Sequence, residues 1–149
     1  MLIETPKMVK IISNNLCYGP APKPDDEVEQ HLSIDNEGNV RFSGFKFGNT
    51  RGQRYEKART KRFKIEKASA EKLLNALADY FENEYSGIFI TDCGSWEMKL
   101  TDIKGTCFEF CGSFYVELKY KDADLSELVR DTLGMDDLFV FDGKCEVDL

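Results

Sequence analysis

Apolar and polar positions alternate along much of the chain, and the runs of alternation are separated by turns of one chemistry. In Leu32-Ser33-Ile34-Asp35-Asn36-Glu37-Gly38-Asn39-Val40-Arg41-Phe42, a loop of Asn36, Glu37 and Gly38 sets Ile34 opposite Val40 and Leu32 opposite Phe42. Opposed residues of an antiparallel pair share a face, so all four apolar side chains land together. A three-residue loop of this kind needs a type I turn followed by a left-handed residue, which Gly38 supplies. The stretch from Trp96 to Phe110 repeats the pattern: Leu100 faces Phe108 and Met98 faces Phe110, with Asp102 and Gly105 in the places of Asp35 and Gly38. The spacing therefore predicts two hairpins. A third, weaker signal at Asp142-Gly143 pairs Val140 with Cys145 through a two-residue loop.

Met8 to Tyr18, rich in Val and Ile, reads as a first strand, and Pro20-Ala21-Pro22-Lys23-Pro24 as an extended connector near residues 19–25. Val40 and Phe42 are out of phase with Phe45 and Phe47, and Gly44 lies between them. A β-bulge at Ser43-Gly44 restores the apolar face; the alternative is a strand apolar on both faces. Two segments switch to helical spacing. About Ser69 to Tyr85, Leu73, Leu74, Leu77 and Phe81 form one stripe, with Ser69 as N-cap and Gly87 after the last turn. From about Leu125 to Leu133, Asp124 and Glu127 resemble a capping box and Gly134 closes the helix. The expected fold class is α+β: one domain over residues 1–149, a mainly antiparallel β-sheet built from hairpins, with two helices packed on it. A hairpin followed later by a helix occurs twice, which hints at an internal pseudo-repeat.

Composition excludes several classes. With 149 residues, 42% hydrophobic and 12% aromatic, the chain is too apolar for a disordered segment. The longest apolar run, Leu138-Phe139-Val140-Phe141, is too short for a membrane span, and Glu4 and Pro6 interrupt the place of a signal peptide. Five scattered cysteines need no partners in a reducing compartment, so a cytoplasmic location is expected.

The net charge of −7 is unevenly spread. The segment Arg41–Lys67 carries +8 and the rest of the chain −15. Within that segment Phe42, Phe45, Phe47, Tyr55 and Phe63 are interleaved with basic residues, a mixture that suits phosphates and bases. Arg51, Arg54, Arg59, Lys61, Arg62 and Lys64 are the candidate anion- or partner-binding residues, on a strand pair joined by the loop Gly48–Gln53. Two plainer readings stand beside this one. The phenylalanines point inward while the basic residues coat a solvated face, or the basic face meets the chain's own acidic helices or an acidic second copy. Asp25-Asp26-Glu27-Val28-Glu29 and Asp122 to Asp148 offer an anionic face to a basic partner, as inhibitors of nucleic-acid enzymes do; plain solubility is the alternative.

Catalytic chemistry is sparse. His31 is the only histidine, which excludes two-histidine metal sites, and parity puts it on the solvent side. Cys107 and Cys111 share a strand face about 13 Å apart, too far for a common zinc, and read as buried structural residues. Cys93, in Asp92-Cys93-Gly94-Ser95-Trp96, has no basic neighbour to activate it. No phosphate-loop, dinucleotide or EF-hand signature is present, so neither cofactor nor metal is expected. The leading expectation is a non-catalytic cytoplasmic interaction protein that binds another macromolecule, most simply a protein, through a charged face, an inhibitor or immunity-type partner among the options. The alternative is nucleic-acid or phosphate-ligand binding through Arg41–Lys67. An enzyme built on scattered carboxylates or Cys93 stands behind both, and no membrane partner is expected.

Overall fold

Alternation with Gly-closed turns does produce hairpins. A computed structural model describes residues 3–16, 22–49, 55–87, 94–114 and 118–143. Its strands β1 (Pro6–Asn14), β2 (Glu27–Asp35), β3 (Asn39–Lys46), β4 (Glu56–Lys64), β5 (Ser95–Asp102) and β6 (Cys107–Ser113) form one antiparallel sheet in the order β4-β3-β2-β1-β5-β6. Helix α1 (Lys67–Asn83) follows β4, and α2 (Leu125–Leu133) follows a short strand pair, β7 (Lys119–Tyr120) and β8 (Ala123–Asp124). The fold is α+β, as the pattern predicts.

Both hairpins form in the expected register, with Ile34 opposite Val40, Leu32 opposite Phe42, Leu100 opposite Phe108 and Met98 opposite Phe110. Their turns are equivalent in detail. Asp35 Oδ1 accepts the backbone N–H groups of Glu37 and Asn39, and Asp102 Oδ1 those of Lys104 and Thr106. Gly38 and Gly105 take φ of +95° and +85°. The two turns differ in surroundings. A Cβ on Gly38 would lie 2.2 Å from the Ile65 carbonyl oxygen, whereas one on Gly105 would meet nothing.

Strand β1 sits between the hairpins, pairing with β2 on one side and β5 on the other. Its Val9 and Ile11 point to the helix side, where they join Leu32, Ile34, Met98 and Leu100 in the core. Helix α1 lies on that side against β1 and β2, burying Ala70, Leu73, Leu74 and Leu77. A second core zone is aromatic: Phe141 packs 4.8 Å from Trp96 and 5.4 Å from Phe81, ring centre to ring centre. Phe141 is carried there by residues 137–143, whose backbone is held by buried polar groups. Gln30 binds Asp137 O and Phe139 N, Ser13 Oγ donates to Val140 O, and Arg130 Nε donates to Leu138 O.

Helix α2 is capped as expected, with the Asp124 carboxylate accepting Glu127 N–H and Gly134 left-handed at φ +66°. Other expectations are corrected. Helix α1 begins at Lys67, with Glu66 as an N-cap that makes no side-chain bond, so Ser69 lies inside the first turn. Val140 belongs to a turn with φ of +46° rather than to a hairpin strand, and Cys145 lies outside the described residues. The predicted bulge moves off β3. Ala58 of β4 and Val28 of β2 are the extra residues, while β3 runs through Ser43-Gly44 unbroken. The reason is Gly44: the position its Cβ would take, 2.2 Å from Glu27 Oε2, is filled by the Glu27 carboxylate. Phe45 therefore stays on the face away from the helices, its ring 4.5 Å from that of His31.

Gly38→Ala combines left-handed strain with a backbone clash, whereas Gly105→Ala carries the strain alone, about 1–2 kcal/mol. In urea unfolding, Gly38→Ala should be the more destabilised of the two; equal losses would contradict the difference in surroundings.

Candidate functional site

Among the described residues the helices cover one face of the sheet and leave the other open. Side chains alternate across a strand, so every second residue of all six strands faces outward. The register arranges these residues in rows that cross the sheet. In one row Arg62 of β4 is opposite Arg41 of β3, Arg41 opposite Ser33 of β2, Ser33 opposite Lys10 of β1, Lys10 opposite Lys99 of β5, and Lys99 opposite Glu109 of β6. Four cations thus lie in single file, spanning about 19 Å from Arg62 to Lys99 at a strand spacing of about 4.8 Å. Lys64 extends the cationic end, opposite Asn39. Lys10, Ser33, Arg41 and Lys99 also line a hollow of about 600 Å³ on this face.

The row contains two like-charge pairs directly opposed across strands, Arg41 with Arg62 and Lys10 with Lys99. Such pairs are destabilising, and little in the protein relieves them. Lys99 Nζ lies 3.6 Å from Glu109 Oε1, but Lys10, Arg41 and Arg62 make no ion pair among the described residues. Acidic groups flank the row instead. Glu97 and Glu29 lie on the two neighbouring rows to one side, each row about 6.7 Å from the next, and Asp35 lies on the other side opposite Met8. Burial pulls the Asp35 carboxyl upward, but hydrogen bonds from the Asn39 side chain and the turn backbone outweigh it and hold Asp35 below the ordinary carboxylate range.

His31 occupies the adjacent row between Ser43 and Ile12. Its Nε2 lies 2.8 Å from Glu29 Oε2 and its side chain is 40% exposed. Neither Ser33 nor Ser43 hydrogen-bonds it, so the hollow brings together cations, hydroxyls and a ring without a nucleophile–base pair among the described residues.

The candidate residues of the basic segment separate. Arg62 and Lys64 join Arg41 on the open face. Arg59 and Lys61 point to the helix side, opposite Gly44 and Phe42. There α1 packs on β1 and β2, so Lys61 at the sheet edge stays exposed. Arg59 is engaged: Nε and Nη2 each lie 2.7 Å from a Glu27 carboxylate oxygen, Nη1 lies 2.7 Å from Asp137, and the guanidinium sits 4.8 Å above the Phe42 ring. The Glu27 hydrogen bonds, against the pull of burial, raise its pKa further. It fastens β4 to the 137–143 segment. Arg51 and Arg54 lie outside the described residues. Lys10 and Lys99, which complete the row, lie outside the basic segment Arg41–Lys67; only the register of β1 reveals them. Cys107 and Cys111 are exposed on the open face rather than buried, and Cys93 lies outside the described residues.

A second charged cluster is structural. The carboxylates of Asp124, Glu127 and Asp142 come within 4.8 Å of one another, and the cation among them is Arg130. Its side chain is 1% exposed, and it bonds Glu127 and Asp142 as well as the carbonyls of Leu138 and Phe139. The helix side is otherwise strongly acidic, with Glu71, Asp131 and Asp136 exposed. The helix side thus carries an acidic excess, while the open face carries the cationic row among carboxylates of its own.

Comparison with known protein families and with curated proteins gives no match to this chain.

Two measurements test these assignments. Arg62→Glu and Lys10→Glu each convert a repulsive cross-strand pair into an attractive one and should raise stability by roughly 0.2–1 kcal/mol in chemical unfolding. A loss would show that the row supports the fold. Arg130→Met removes the buried donor to the Leu138 and Phe139 carbonyls and the cation between Glu127 and the largely buried Asp142, and should cost about 3–5 kcal/mol; a neutral result would contradict its bracing role.

Proposed function

We propose that this chain is a non-catalytic, cytoplasmic interaction protein that binds another macromolecule through a charged face, and that the face is the open side of the sheet. The observation that carries the reading is the single file of Arg62, Arg41, Lys10 and Lys99, with its opposed like charges. A fold that gains nothing from such pairs retains them at a cost to its own stability, and an anionic partner converts that cost into attraction. The partner is accordingly anionic. Its approach is directed, because the acidic helix side repels it and the cationic row attracts it. Free, exposed Cys107 and Cys111 suit a reducing compartment. No helix among the described residues is long and apolar enough to cross a membrane.

The test uses three labelled polyanions, a single-stranded oligonucleotide, a duplex and poly-glutamate, titrated with the intact protein at low and moderate salt. At least one should bind, weaken steeply as salt rises, and lose affinity with Arg62→Glu and Lys10→Glu. Since both variants should be more stable than the parent, their loss of binding is not unfolding. Failure of all three polyanions to bind at low salt would contradict the proposal.

A further inference from the structure

We infer that the anionic partner is a single-stranded nucleic acid whose backbone runs across the strands along Arg62, Arg41, Ser33, Lys10 and Lys99. This inference rests on the reading of the open face as an anion-binding surface and narrows it to one ligand class. Three features of the face carry it.

The first is width. Except at the β4 end, where Lys64 adjoins Arg62, the cationic row is one residue wide, and carboxylates stand on both sides of it, Asp35 on one and Glu97 and Glu29 on the other. A folded acidic surface or a duplex spreads negative charge over a broad area and would press phosphates or carboxylates against these flanking acids. A single polyanionic strand keeps its charge within the row, and the flanking acids then act as guides.

The second is the spacing of donors. Two doubled cationic positions, Arg62 with Arg41 and Lys10 with Lys99, lie on either side of the Ser33 hydroxyl, all within about 19 Å. Each doubled position presents two cations to one anionic group. The guanidiniums offer planar pairs of donors suited to phosphate oxygens, and the ammonium groups act as compact charges. A strand with one charge per repeat meets these positions in turn.

The third is a ring beside the row. His31 lies one row away, half-exposed, backed by the Phe45 ring at 4.5 Å and oriented by Glu29. Single-strand binding combines a charged track with exposed rings on which bases stack, and the half-exposed His31 ring offers such a platform. Ile12, beside His31, continues this surface with an apolar contact.

The experiment measures binding of a labelled oligonucleotide of about 12 nucleotides, within the site sizes of single-strand binders, in competition with duplex and poly-glutamate. Four phosphate contacts at about 0.7 each give an expected slope of log affinity against log salt near −3. Arg62→Ser and Lys10→Ser should each reduce that slope by about 0.7. His31→Ala should weaken binding about 5- to 100-fold with the slope unchanged, and His31→Phe should restore it. Lys61→Ser, on the other side of the sheet, should change nothing. If duplex or poly-glutamate binds through the row as tightly as the single strand, this inference is overturned while the open face stands as an anion-binding surface. If His31→Ala is silent, or if its loss is not recovered by Phe, the stacking role is overturned. If no polyanion binds, both proposals fall together.

Discussion

The register of β1 against two antiparallel neighbours sets both faces of the sheet at once. Ile11 lies opposite Leu32 on one side and Met98 on the other, and Val9 opposite Ile34 and Leu100. These contacts define the core under α1. In the same register Lys10, between Val9 and Ile11, lies opposite Ser33 and Lys99. A slip of one residue would put Lys10 into the core and Val9 into water, so burial of Val9 and Ile11 holds the cationic row in line. The apolar face thereby does two things: it supplies the stability of the fold and it aligns charges that repel one another.

Charge is unevenly divided by this architecture. The acidic excess lies on the helix side, where Arg130 and Arg59 meet part of it in structural clusters, and the open face carries the row. Both clusters act on residues 137–143, Arg130 through carbonyls and Asp142, Arg59 through Asp137. That segment delivers Phe141 to Trp96 and closes the core beneath the sheet. Arg59 and Arg130 on the helix side are thus engaged in packing, while Lys10, Arg41 and Arg62 on the open face make no ion pair among the described residues.

The chain's own pattern shows much of this fold and only part of the site. Hairpin register was legible because turn chemistry and apolar parity agree locally: Gly38 and Gly105 close loops that leave Ile34 facing Val40 and Leu100 facing Phe108. The cap of α2 was legible for the same reason. At one position a local rule failed because a distant residue intervened. Gly44 marks no bulge in its own strand, because Glu27 from β2 fills the space its side chain would take. Cys107 and Cys111 are exposed because Phe108 and Phe110 took the inward positions of β6. Of the basic segment, Arg62 and Lys64 reach the open face, whereas alternation sends Arg59 and Lys61 to the other. Lys10 and Lys99 are isolated cations among apolar neighbours in sequence, and nothing short of the pairing of β1 with β5 shows them to be adjacent.

The central claim is that the single file of cations on the open face is a ligand surface. Amide chemical-shift mapping of the intact protein with a single-stranded oligonucleotide tests it most directly. The account predicts perturbations concentrated at Lys10, Ser33, Arg41, Arg62 and Lys99, with α1 and α2 unmoved. Perturbations centred on the helices, or none at any oligonucleotide concentration, would contradict it.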